Sequence, residues 1–65
     1  MRVEVMDLQN LPAILTVEEV RRALRLSRAK AYELVHRQGF PAIRFGRTIR
    51  VPRDAFIRWL EAQAA

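Results

Sequence analysis

Between Ser27 and Arg53 lie seven of the chain's twelve Lys and Arg residues and one of its seven acids, Glu33. Cations gathered in this way can hold a polyanion, because clustered ammonium and guanidinium groups release condensed counterions from a phosphate backbone. The stretch carries a formal charge of +6. The 26 residues before it sum to zero, as Arg2, Arg21, Arg22 and Arg25 balance Glu4, Asp7, Glu18 and Glu19, and the last twelve sum to −1. A surface that served solubility alone would mix both signs. Other chemistries lack their residues. With no Cys and a lone His36, neither a thiolate zinc site nor a metal cage can form, and no cofactor is expected. Ser27 reads as a helix cap and not as a nucleophile, since no second acid or base is placed to serve it, so no catalytic residue and no enzymatic activity are expected.

Elements of modest size must position these cations. At 65 residues the chain forms one domain that buries only about 60% of what its unfolded chain exposes, which leaves no room for a large cleft. No apolar run approaches the ~20 residues of a membrane span, and charges occupy Met1 to Asn10 where a signal peptide would be apolar. A soluble cytoplasmic protein with no membrane partner is therefore expected. Punctuation comes from Pro12, Gly39-Phe40-Pro41, Gly46 and Pro52. Residues 1–15 read as an N-terminal arm or a short strand, with polar and apolar side chains alternating from Arg2 to Met6.

Thr16-Val17-Glu18-Glu19 fits a capping box that opens a helix of about ten residues, with Leu15 stapled onto Val20. Val17, Val20, Ala23 and Leu24 share one face, and Glu18, Arg22 and Arg25 point away. A second cap, Ser27, follows so soon after Leu24 that two helices must cross steeply around one apolar seam, as in a helix-turn-helix. The second helix is predicted from Arg28 to about Gln38, ended by Gly39 as a left-handed cap residue. Ala31, Leu34 and Val35 face its core. Ala29, Glu33 and His36 centre the opposite face, flanked by Tyr32 and Arg37, with Arg28 and Lys30 at the edges. In a major groove, Ala29 can approach a thymine methyl and Glu33 can accept from cytosine N4. His36 and Tyr32 can reach base edges or phosphates, and Arg28, Lys30 and Arg37 can grip the backbone. Glu33 has a second use, an i, i+4 pair with Arg37; His36 also reads as an ordinary surface histidine, and Tyr32 as a ring packed against the turn.

A β-hairpin follows. A three-residue loop, Gly46-Arg47-Thr48, would pair Phe45 with Ile49 and Ile43 with Val51 and keep one face apolar, whereas a two-residue loop would set Arg50 beside Ile43. The first register is preferred. It puts Arg44 opposite Arg50 on the outer face with Arg47 at the tip, a like-charge arrangement that phosphates would relieve. A last helix opens at Pro52 and Asp54, with Phe56, Trp59 and Leu60 on one side, Trp59 as core anchor, and Arg53 continuing the basic surface. Residues 62–65 are expected to fray.

The order Leu15-Thr16-Val17-Glu18-Glu19-Val20, Leu26-Ser27-Arg28, Tyr32-Glu33-Leu34-Val35, Phe40-Pro41-Ala42-Ile43-Arg44-Phe45-Gly46-Arg47, Ile49-Arg50-Val51-Pro52 and Trp59-Leu60 resembles the excisionase-type helix-turn-helix domains, relatives of the MerR DNA-binding domain. The resemblance spans residues 11 to 61. It implies a winged helix-turn-helix over residues 16–61, mainly α, with three helices and a two-stranded wing. The second helix would lie in the major groove of double-stranded DNA and the wing along the adjacent minor groove. By position, Ser27, Arg28, Ala29, Lys30, Tyr32, Glu33 and His36 fall in the groove-facing helix, and Arg44, Arg47, Thr48 and Arg50 in the wing. Arg25 stands where such domains often have Gly, so the turn either avoids a left-handed residue or strains Arg25. No coiled-coil helix or effector domain of full MerR regulators follows, so no small-molecule effector is expected. The resemblance further implies partners on DNA, an integrase or recombinase and further copies of the chain, and with the DNA binding an association with the nucleoid. A small transcription regulator using the same surface is the alternative, and an RNA- or protein-interaction module the next.

Overall fold

Thr16 closes the predicted capping box. Its Oγ accepts from the Glu19 amide at 3.1 Å, and the Glu19 carboxylate accepts from the Thr16 amide at 2.8 Å. The helix so started, α1, covers Val17–Leu24 in the computed structural model, which describes residues 8–64. The alternation at Arg2 to Met6, read as an arm or a short strand, lies outside the described residues. At the far end of α1 the chain turns through Arg25, which adopts the left-handed conformation, φ 57 and ψ 44. The Leu26 amide donates to the Arg21 carbonyl at 3.0 Å and the Arg25 amide to the Arg22 carbonyl at 3.3 Å, the paired bonds of a Schellman motif. Of the two possibilities left open for this turn, the strained one holds.

Ser27 caps the next helix, α2, Arg28–Val35, by accepting from the Lys30 amide at 3.2 Å. The helix is shorter than predicted. It ends at Val35 and not near Gln38, because the His36 amide donates to Glu33 at 3.2 Å and the Arg37 amide to Leu34 at 3.0 Å, three-residue steps that tighten and terminate a last turn. Gly39 does take a positive φ, 93, but it serves a separate turn in which the Phe40 amide donates to Arg37.

Three strands form one antiparallel sheet: β1, Ile14–Leu15; β2, Ile43–Phe45; and β3, Thr48–Pro52; β3 lies in the middle. β1 adds a strand to the two-stranded wing read from sequence; a two-residue strand is too short to show a period. The observed pairs are Ile43 with Arg50, Arg44 with Ile49 and Phe45 with Thr48. This is the two-residue loop, and it overturns the preferred register. Gly46 at the first central position has φ 63, whereas Arg47 does not have a positive φ, the pattern of a type II′ turn whose twist suits a hairpin.

The register decides the faces, since cross-strand partners share one. Ile49 and Val51 point inward and are buried, whereas Ile43 and Phe45 face outward and are exposed. Arg44 and Arg50 therefore lie on opposite faces, not opposite each other. The last helix, α3, covers Arg53–Ala64. Pro52 closes β3, paired with Ile14, instead of opening the helix. Phe56 and Ile57 are buried, with Trp59 and Leu60 half-buried against the same cluster. Phe40 meets Phe56 and Trp59 edge-on, at centroid distances of 6.0 and 4.9 Å, so the loop after α2 is fastened to α3. Leu8, Leu15, Val20 and Val35 complete the core. Each such buried apolar side chain contributes roughly 1.5–3 kcal/mol.

Candidate nucleic-acid interface

The outer side of α2 is built by the burial of its inner side. Ala31 and Val35 are fully covered, which turns Arg28, Ala29, Lys30, Tyr32, Glu33, His36 and Arg37 into solvent together with Ser27. The Ser27 oxygen is used in capping, and its hydroxyl proton is left for an acceptor such as a phosphate. No ion pair joins Glu33 to Arg37, so the Glu33 carboxylate keeps its full accepting capacity. His36 Nδ1 lies 2.8 Å from the Tyr32 carbonyl. A carbonyl only accepts, so Nδ1 carries the proton, and in the neutral ring Nε2 is left as an acceptor. The Tyr32 and His36 rings are 4.7 Å apart at 41°, which places both on one side of the helix. Tyr32 is exposed and is not packed into the turn.

A neighbouring feature was not legible in the sequence. An open groove of about 540 Å³ runs between α1 and α2, lined by Val17, Glu18, Arg21, Arg22, Arg28 and Tyr32 among others. Within it the Glu18 carboxylate accepts from Arg21 Nη2 at 2.6 Å and Nε at 3.0 Å, and from Arg22 Nε at 3.2 Å. Arg21 Nη1 reaches on to the Leu26 carbonyl at 3.3 Å, bracing the turn. The Arg21 hydrogen bonds hold the Glu18 carboxyl down at about 2 against an ordinary 4.5, with the charges of Arg21, Arg22 and Arg28 adding to the effect. Glu18 raises Arg21 in return. Arg21 and Arg22 escaped the sequence reading because the segment that holds them is neutral in sum; the signal was their i, i+3 and i, i+4 spacing from Glu18.

In the wing, Arg47 stands exposed at the turn, and Thr48 and Arg44 are exposed on opposite faces. Arg50 is half-buried, with Nη1 donating to the Ile49 carbonyl at 2.8 Å. Arg53 is drawn inward. Its Nη1 donates to the Leu11 and Gln9 carbonyls at 3.1 and 3.3 Å, and its Nε to Asp54 at 3.1 Å. It ties the segment before β1 to the start of α3, and this internal work competes with the phosphate contact expected of it. Among the described residues there is no cluster of His, Asp or Glu that would hold a metal ion. No helix among them is long and apolar enough to cross a membrane.

Two short helices joined by a Schellman turn and followed by a hairpin define a winged helix-turn-helix. A family model described as a helix-turn-helix domain matches residues 14–64, and the chain belongs to that family. Two proteins from strains of Mycobacterium tuberculosis, each named "Putative DNA-binding protein", are 44% identical to it over 48 residues, covering 74% of this chain and 62% of theirs. The chain thus spans less than two thirds of the length of the curated relatives it matches. No solved structure matches it.

Proposed function

We propose that the protein binds double-stranded DNA sequence-specifically and without enzymatic activity, laying α2 in the major groove and the hairpin along the adjacent minor groove. The observation that carries this reading is the exposed row on α2 and the turn that follows it, where cations at Arg28, Lys30 and Arg37 flank an unpaired Glu33 and an acceptor nitrogen on His36. Cations position such a helix on phosphates, whereas a carboxylate and an imidazole discriminate base edges. Arg44, Arg47, Thr48 and Arg50 supply the wing's contacts. The relatives' name and the family of the domain agree with this use.

Within that class we propose an excisionase-like role, as a recombination directionality factor in the nucleoid that bends DNA beside an integrase. Bending costs of order 1–6 kcal/mol, which several copies bound side by side would share. Selection of fragmented genomic DNA by the purified protein at physiological salt tests the role. Retained fragments clustering at repeats beside an integrase gene support it; clustering at promoters assigns the same surface to transcription, and retention no better than input removes sequence-specific binding.

A further inference from the structure

We propose that Phe45 is a wedge that enters the duplex from the minor groove, unstacks one base step and kinks the helix axis there. The inference rests on the DNA-binding reading above and adds to it a residue whose chemistry is not electrostatic. Phe45 is 62% exposed, the most exposed large apolar side chain among the described residues, and Ile43 behind it is 45% exposed. Both stand on the outer face of the hairpin, Phe45 against Thr48 and Ile43 against Arg50. Phe45 immediately precedes the two-residue turn, Gly46-Arg47, so its ring is carried at the end of the hairpin where a narrow groove can receive it.

Its surroundings select the occupant. Arg50 shares the outer face with Phe45, Arg47 stands in the adjoining turn and Arg44 lies on the opposite face, and no acid occurs between Glu33 and Asp54. Aromatic and Arg side chains also occur together at protein–protein interfaces; what selects a nucleic acid here is that every charge on the hairpin, Arg44, Arg47 and Arg50, is positive. Cations that hold the two phosphate backbones and an apolar side chain that replaces a lost stacking contact are what a minor-groove wedge requires. A phenyl ring, flat and with two rotatable bonds, loses little freedom in doing so. Bending follows from the wedge and not from the cations, so the two contributions separate by mutation.

The test uses a duplex enriched from a random pool by the wild-type protein. Bend is read from end-to-end energy transfer, and unstacking from aminopurine placed at each step in turn. The wild-type protein should bend the duplex and brighten aminopurine at one step. Phe45→Ala should lose both signals and bind about tenfold more weakly, with the salt slope unchanged because no phosphate contact is removed. Phe45→Leu, still apolar and bulky, should keep most of the bend, and neither substitution should lower the melting temperature, as the ring is exposed. A bend that survives Phe45→Ala overturns the wedge and leaves DNA binding standing. So does a loss confined to the filling of adjacent sites, which would mean that a second copy covers the ring. A wild-type protein that enriches no duplex removes the sequence-specific DNA-binding reading, and the wedge with it.

Discussion

Arg25 holds φ 57 and ψ 44 where a side chain strains the backbone by roughly 1–2 kcal/mol. Relief of that strain in Arg25→Gly is partly offset by the freedom a glycine gains in the unfolded chain, so Arg25→Gly should exceed Arg25→Ala in stability, which lacks the same side chain but keeps the strain, by up to about 1 kcal/mol. Arg25→Val should instead destabilise, since a β-branched residue suits the left-handed region least. Urea unfolding that ranks Val equal to Gly would contradict this conformation. Glu33 presents a carboxylate without an ion pair to Arg37, and Glu33→Ala should relax base preference at one position of the site by about 1–3 kcal/mol, with non-specific binding retained or strengthened. Uniform weakening across sequences would assign Glu33 a structural role. At this scale the sequence revealed which side chains α2 exposes, because apolar spacing fixes the face. It could not reveal that Arg53 is occupied by Gln9 and Leu11, because those bonds join segments more than forty residues apart in sequence.

Elements carry the pH response. Glu18 is ordinarily a carboxyl of 4.5 and is held at about 2 by Arg21 first and then Arg22. A carboxyl lowered on folding stabilises the fold fully above its unfolded value and loses that contribution as pH falls from 4.5 toward 2. The brace between α1 and the turn should therefore loosen in that window. Glu18→Gln should flatten the fall in melting temperature across it, and an unchanged acid profile would show that Glu18 does not couple the helix to the turn. For the wing, Arg47→Ala should weaken binding to all duplexes about equally and reduce the salt slope by roughly one unit. A slope identical to wild type would remove Arg47 from the phosphate contacts. The capping box, Ser27 and the apolar stripe of α1 were legible because they are local. The hairpin register was not, because the apolar alternation of Ile43, Phe45, Ile49 and Val51 was allowed to outrank the Gly46-Arg47 turn signal. Alternation marks a core face only where a strand is covered. β3 is covered, lying between its neighbours and over the helices, whereas β2 is an edge strand that leaves Ile43 and Phe45 in water.

Over the whole molecule, one small core supports an uneven charge of +5. Phe40, Phe56 and Trp59 lock the loop after α2 to α3, so α2 is held at its far end by the element most distant from it in sequence. The fold class was legible because cap, turn, hairpin and closing aromatic helix occur in a fixed order. The exposure of the cations on α2 and the hairpin was legible, and the groove between α1 and α2 was not, because it depends on how two elements meet. The central claim is that α2 and the wing together form the surface that meets DNA. It is tested most directly by an amide-resolved NMR titration with a duplex enriched from a random pool. Shifts confined to residues 27–37 and 43–50, with the outer side of α3 silent, are the predicted result. Shifts centred on α3 alone, or saturation by duplex with neither α2 nor the wing responding, would contradict it.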